Sequence, residues 1–79
     1  MKDLLIYLAK TLVSNPDAVE VSQKDISDTE VDFVLKVDSG DMGRVIGKHG
    51  KIARALRSIV KAAGVKENKR VNIEIVDNK

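Results

Sequence analysis

The chain has no cysteine among its 79 residues, which excludes disulfides and cysteine-based zinc sites and fits a reducing compartment. Tryptophan is missing too, and Tyr7 and Phe33 are the only aromatics. Neither accompanies a glycine-basic pattern, so both are expected to pack in the fold, not to stack on bases. His49 is the single histidine and has no obvious partner ligands, so neither a metal nor any other cofactor is expected. The longest uninterrupted apolar run, residues 4–9, is far short of the ~20 residues of a membrane span. Asp3 interrupts the start and no small-residue cleavage site follows, so no signal peptide is expected. These absences point to a soluble, cytoplasmic protein without a membrane partner. No repeat, low-complexity tract or linker divides the chain, and its length allows one core, so residues 1–79 are expected to form one domain.

What is present is charge, unevenly placed. Residues 1–43 carry four Lys/Arg against nine Asp/Glu, a net of −5. Residues 44–70 carry nine Lys/Arg against one acid, Glu67, a net of +8. Such asymmetry in so short a chain suggests one side that faces a polyanion and another that keeps the protein dissolved. A merely solubilising basic helix would produce the same numbers, so the motif has to decide.

Hydrophobic spacing outlines the elements. Leu4, Leu5, Leu8, Ala9, Leu12 and Val13 share one side of a helix over residues 2–13, with Asp3, Tyr7, Lys10 and Thr11 opposite. Asn15 before Pro16 ends it. Val19 and Val21 alternate with Glu20 and Ser22 as a short strand, and residues 25–28 read as a turn. Val31, Phe33, Leu35 and Val37 alternate with mostly polar neighbours as a half-buried strand; Val34 breaks the series, as if facing a second element. Asp38 or Ser39 is placed to cap a short helix over residues 40–46. A longer helix is expected over residues 51–63, with Ile52, Leu56, Ile59, Val60 and Ala63 on its buried face. Lys51, Arg54, Arg57, Ser58 and Lys61 lie opposite, and Gly64 is placed to stop it. Val71, Ile73 and Ile75 mark a last strand. The fold class is α+β in the order α-β-β-α-α-β, a three-stranded sheet with helices packed on one face.

Between the two later helices stands VIGKHGKIARALRSIV, residues 45–60. Gly47 and Gly50 lack a Cβ, so the backbone there turns sharply and admits a phosphodiester to contact distance. The next helix begins beside Gly50 and favours an anion at its unpaired N–H groups. Lys48, His49 and Lys51 add donors at the same place, and Arg54 extends the positive track by one turn. Glycines at 47 and 50 also suit a plain corner between helices.

A Gly-x-x-Gly with Val45-Ile46 before it and Ile52 after it, in this element order, resembles the type II KH domain. Length and layout resemble the KhpA family of small bacterial single-KH proteins over essentially the whole chain. The resemblance implies a non-catalytic RNA-binding protein, an RNA chaperone or post-transcriptional regulator. Its loop would clamp about four nucleotides of single-stranded RNA, with bases over an apolar groove between these helices and a neighbouring strand. Transferred to this chain, the RNA-binding residues are Ile46, Gly47, Lys48, His49, Gly50, Lys51 and Arg54; Ile46 and Ile52 are candidates to line the groove, and Ile52 suits the core equally. It further implies a homodimer, or a heteromer with a larger KH protein of the KhpB/Jag/EloR type, and a link to cell shape and division. Lys66, Lys69 and Arg70 either contact RNA or lie solvated.

Two other classes were weighed. GRVIGK, residues 43–48, imitates a phosphate-binding P-loop, but it is one residue short, and His49 stands where a hydroxyl would hold magnesium. His49 has no evident carboxylate partner and there is no thiol nucleophile, so no enzyme is expected. A protein-binding adaptor with a basic helix is the remaining alternative.

Overall fold

A computed structural model describes residues 1–78. The elements are α1 (Lys2–Leu12), β1 (Glu20–Ser27), β2 (Glu30–Val37), α2 (Met42–Ile46), α3 (Lys51–Lys66) and β3 (Arg70–Asp77). Single 3-10 turns lie at Pro16–Ala18, Ser39–Asp41 and Lys48–Gly50. The sheet order is β1-β2-β3, with β1 antiparallel and β3 parallel to the central β2. A parallel neighbour requires a crossover, and α2 with α3 supplies it. The expected order α-β-β-α-α-β is the one found.

Val31, Phe33, Leu35 and Val37 point from β2 into one core with Leu5 and Ala9 of α1, Val45 of α2, Leu56 and Val60 of α3, and Val71 and Ile73 of β3. All helices therefore cover the same face. No helix covers the other face among the described residues. Val34 lies there half-buried beside Asp32, Asn72 and Glu74, in place of the second element its apolar side chain suggested.

Several local expectations are corrected. β1 runs through residues 25–27 and the turn shrinks to Asp28 and Thr29, because β1 is held by pairing and not by burial. Beyond Val21 its residues are all exposed, so alternation carries no signal there. The segment before the loop opens as a 3-10 turn at Ser39–Asp41, with Asp38 accepting from the Gly40 amide at 3.3 Å, and becomes α-helical only at Met42. Gly64 does not stop α3. The stop is Asn68, at φ +57°, with the Lys69 amide donating to the Gly64 carbonyl (2.8 Å) and the Asn68 amide to the Val65 carbonyl (3.1 Å). Gly64 is glycine for packing: a Cβ there would lie 2.5 Å from Val71 Cγ2 and 3.0 Å from the Lys69 carbonyl oxygen.

Tyr7 is 67% exposed, so it does not pack as expected, whereas Phe33 is fully buried. Ile59 is 47% exposed because α1 and α3 do not close over it. Leu8, Leu12, Ile52 and Ile59 instead line an apolar groove of about 150 Å³.

Candidate nucleic-acid interface

Helix α2 is five residues long, too short to be stable alone, so its position must come from tertiary contacts. Asp41 supplies one. Its carboxylate is 1% exposed and accepts from the Ser14 amide (3.0 Å), the Ser14 hydroxyl (2.8 Å), the Asn15 amide (3.1 Å) and Arg44 Nε (3.0 Å). The end of α1 is thereby tied to the start of α2. The Ser14 amide, then the Ser14 hydroxyl, hold the Asp41 pKa below the ordinary value of 3.8; the Asn15 amide and the Arg44 charge add to this, while desolvation opposes it. Sequence reasoning missed Asp41, whose partners lie 26 and 27 residues away; a local cap was the only signal available.

At the other end of α2 the chain turns through the 47–50 loop. Gly47 sits at φ +74°, ψ 176°, a region essentially reserved for glycine. A Cβ there would lie 2.6 Å from Ile52 Cγ1, so Ile52 is packed directly against the glycine. His49 (φ +59°) and Gly50 (φ +73°) are both left-handed. Histidine tolerates that region better than most residues. Above Gly50 the space is open, since a Cβ would meet nothing within 4 Å. The Gly50 amide donates to the Gly47 carbonyl at 3.2 Å and the Lys51 amide to the Lys48 carbonyl, closing a 3-10 turn. The amides of Lys48 and His49 precede the first of those bonds and have no acceptor within that turn.

The side chains of Lys48, His49, Lys51 and Arg54 are all exposed, while Ile46 is half-buried against the core. Helix α3 starts next to Gly50 with no side chain capping it. All seven expected site residues thus gather around one turn and the first turn of α3. Ile52 supports the loop from beneath and faces the groove toward α1. Arg57, expected to be solvated, is half-buried and donates from Nε to the Ile73 carbonyl at 3.4 Å, on the open edge of β3. His49 belongs to no cluster of three metal-ligating side chains among the described residues.

A mixed three-stranded sheet, helices on one face and a glycine-hinged loop between the last two helices together define a KH-type domain of type II order. The family described as KhpA/KhpB, KH domain matches residues 2–75. Among curated relatives, the RNA-binding protein KhpA of Clostridium acetobutylicum is 53% identical over 76 residues, covering 96% of this chain and all of that one. That of Caldanaerobacter subterraneus subsp. tengcongensis is 51% identical with the same coverage. That of Listeria monocytogenes is 40% identical over 77 residues, 98% of this chain and all of that one. The chain belongs to the KhpA/KhpB KH-domain family, whose relatives here are named for RNA binding and not for a reaction. No helix among the described residues is long and apolar enough to cross a membrane.

Proposed function

We propose that this protein binds RNA without catalysing a reaction, its 47–50 loop holding the backbone of about four nucleotides of a single strand. The observation that carries this reading is the open, left-handed turn over Gly50, with exposed Lys48, His49 and Lys51 around it and an uncapped helix start behind it. A phosphate seated there meets backbone amides, a helix N-terminus and cationic side chains together. Arg54 continues the contact along α3, and Ile46 and Ile52 form the apolar bed beside the loop. The relatives' name, RNA-binding protein KhpA, supports the same conclusion. In the cytoplasm such a protein acts by occupancy, as an RNA chaperone or post-transcriptional regulator. Three or four phosphate contacts give a log–log salt slope of roughly −2 to −3, a loss of about 15- to 60-fold between 50 and 200 mM salt.

The test replaces Lys48 and His49 with Asp. Both side chains are exposed, so the melting temperature should move little while fluorescence anisotropy shows RNA binding lost. Unchanged affinity for single-stranded RNA would sink the proposal.

One observation favours a second role beside RNA binding, pairing with another KH domain in a homodimer or with a larger KH protein. Ile59 is 47% exposed at the rim of the apolar α1–α3 groove. Sedimentation of the wild type against Ile59→Lys tests it; equal mass for both as monomers would reject self-association through that groove.

A further inference from the structure

Opposite the loop, at the other end of α3, lies a hollow of about 530 Å³ between the last turns of that helix and the start of β3. Its size suits a nucleotide-sized group. Lys61 and Val65 line it from α3, and Lys69, Arg70 and Val71 from the other wall. Three cations thus converge on a concave surface with no acid in its lining. Glu30 is in register with Arg70 across the sheet without an ion pair between them, and at the rim the Asn72 amide group donates to Glu30 (2.9 Å) and Asp32 (2.8 Å). Strand β3 is at the sheet's edge. The Arg70 amide bonds the Thr29 carbonyl and the Asn78 amide the Val37 carbonyl. By alternation the Val71 amide is turned away from β2, although Val71 itself is only 2% exposed. Val65 is 71% exposed, an apolar shelf in an otherwise basic wall.

This hollow is joined to the loop by charge. At about 100° per residue, Lys51, Arg54, Lys61 and Val65 fall on one flank of α3, with Arg57 beside it. Lys51 and Lys61 are ten residues apart, about 15 Å along the helix. At about 3.4 Å of axis per phosphate in a stacked strand, that span holds four to five phosphates, and fewer when the strand is extended. Four nucleotides clamped at the loop are used up within that span, whereas a strand of about ten nucleotides occupies the loop and the hollow together.

We infer that the hollow between α3 and β3 is a second phosphodiester site, in which Lys61, Lys69 and Arg70 hold RNA that continues along α3 from the loop. The inference rests on the loop being the first RNA site. It accounts for the placement of charge: a single footprint at the loop needs no cations three turns away, and a solubilising face needs no concavity. Val65 and the lysine stems provide the apolar floor for one base.

The experiment uses the full chain and oligouridylates of 4 and 12 nucleotides, measured by anisotropy across a salt series, with circular dichroism verifying the fold. In the variant Lys61→Gln/Lys69→Gln/Arg70→Gln, affinity for the 12-mer should fall about tenfold or more at low salt. Its salt slope should become shallower by up to about 2, at roughly 0.7 per lost phosphate contact. Affinity for the 4-mer should stay within twofold of wild type. An unchanged 12-mer affinity and slope would overturn the second site while leaving the loop reading intact. Loss of binding to a polyglutamate peptide with the 12-mer unaffected would overturn it in favour of an acidic protein partner. The Lys48→Asp/His49→Asp variant separates the two proposals, because it should lose both oligonucleotides; if it keeps both, the loop reading is the one that fails.

Discussion

The two glycines of the loop look equivalent in the motif and are held for different reasons, so replacing each with alanine should have different consequences. Alanine at 47 must adopt φ +74°, ψ 176°, a strain of about 1–3 kcal/mol. Its Cβ must also displace Ile52, which would lie 2.6 Å away, an overpacking cost of about 1–3 kcal/mol. The stiffer unfolded chain returns about 0.4–1 kcal/mol, leaving a net loss of about 1–5.5 kcal/mol. A chain of 79 residues has on the order of 4–12 kcal/mol in total, so Gly47→Ala should lose a large share of it. At about 4–8 °C per kcal/mol, the melting temperature should drop by at least about 4 °C. Gly50→Ala pays about 1–2 kcal/mol for its left-handed φ, less the same return, and nothing for contact because its Cβ points into open space. That variant should stay folded within about 1.5 kcal/mol of wild type and bind RNA more weakly, since the new methyl occupies the approach to the backbone. Calorimetry and anisotropy on the same samples separate the two effects. If Gly47→Ala proves as stable as Gly50→Ala, the packing of Ile52 against the loop is not what holds it.

The remaining predictions concern the supports of the loop. Leu56→Ala should cost about 2–5 kcal/mol by urea titration, because Leu56 is 3% exposed in the middle of the core. Gly64→Ala should destabilise, although alanine is the better helix former by about 1 kcal/mol; Val71 Cγ2 at 2.5 Å and a backbone carbonyl at 3.0 Å leave no room, and a rise in melting temperature would contradict that geometry. The folded Asp41 pKa lies below 3.8, so the stability it contributes is fully present above the unfolded value and is lost as pH falls through the lower folded one. A thermal series on wild type and Asp41→Asn should show a lower melting temperature for the variant at neutral pH and convergence of the two in acid; parallel curves down to strongly acidic pH would remove Asp41 from that role.

The parts of this fold legible in the sequence are those where burial writes a period. Strand β2, buried on alternate residues at Val31, Phe33, Leu35 and Val37, was placed closely, as were the inward faces of α1 and β3. Where partners and not burial set the structure, the reading slipped. Asp25 and Ser27 look like part of a turn but pair with Val31 and Glu30. Gly64 looks like a stop because glycine often ends helices, whereas here the missing Cβ admits Val71 and the left-handed residue is Asn68. Ile59 has the spacing of a core residue, yet it lies on the open groove between α1 and α3 and is 47% exposed. The loop was legible because a left-handed turn demands glycine locally; the hollow at Lys61, Lys69 and Arg70 was not, since helix end and strand start make it only once folded.

The same distinction bears on how the loop works. A five-residue helix cannot fix the direction of a turn by itself, and α2 is fastened at both ends. Asp41 binds its start to Ser14 and Asn15, and Ile52 packs against Gly47 just beyond its end. With both in place the left-handed backbone at His49 and Gly50 is set before any ligand arrives, so binding need not bear the cost of ordering the turn. If RNA binds at the loop as proposed, its affinity should depend on a carboxylate buried at the start of α2. Disturbing Asp41 should weaken binding even under conditions where the protein remains folded, whereas a substitution of equal cost in the distant β1–β2 turn should not.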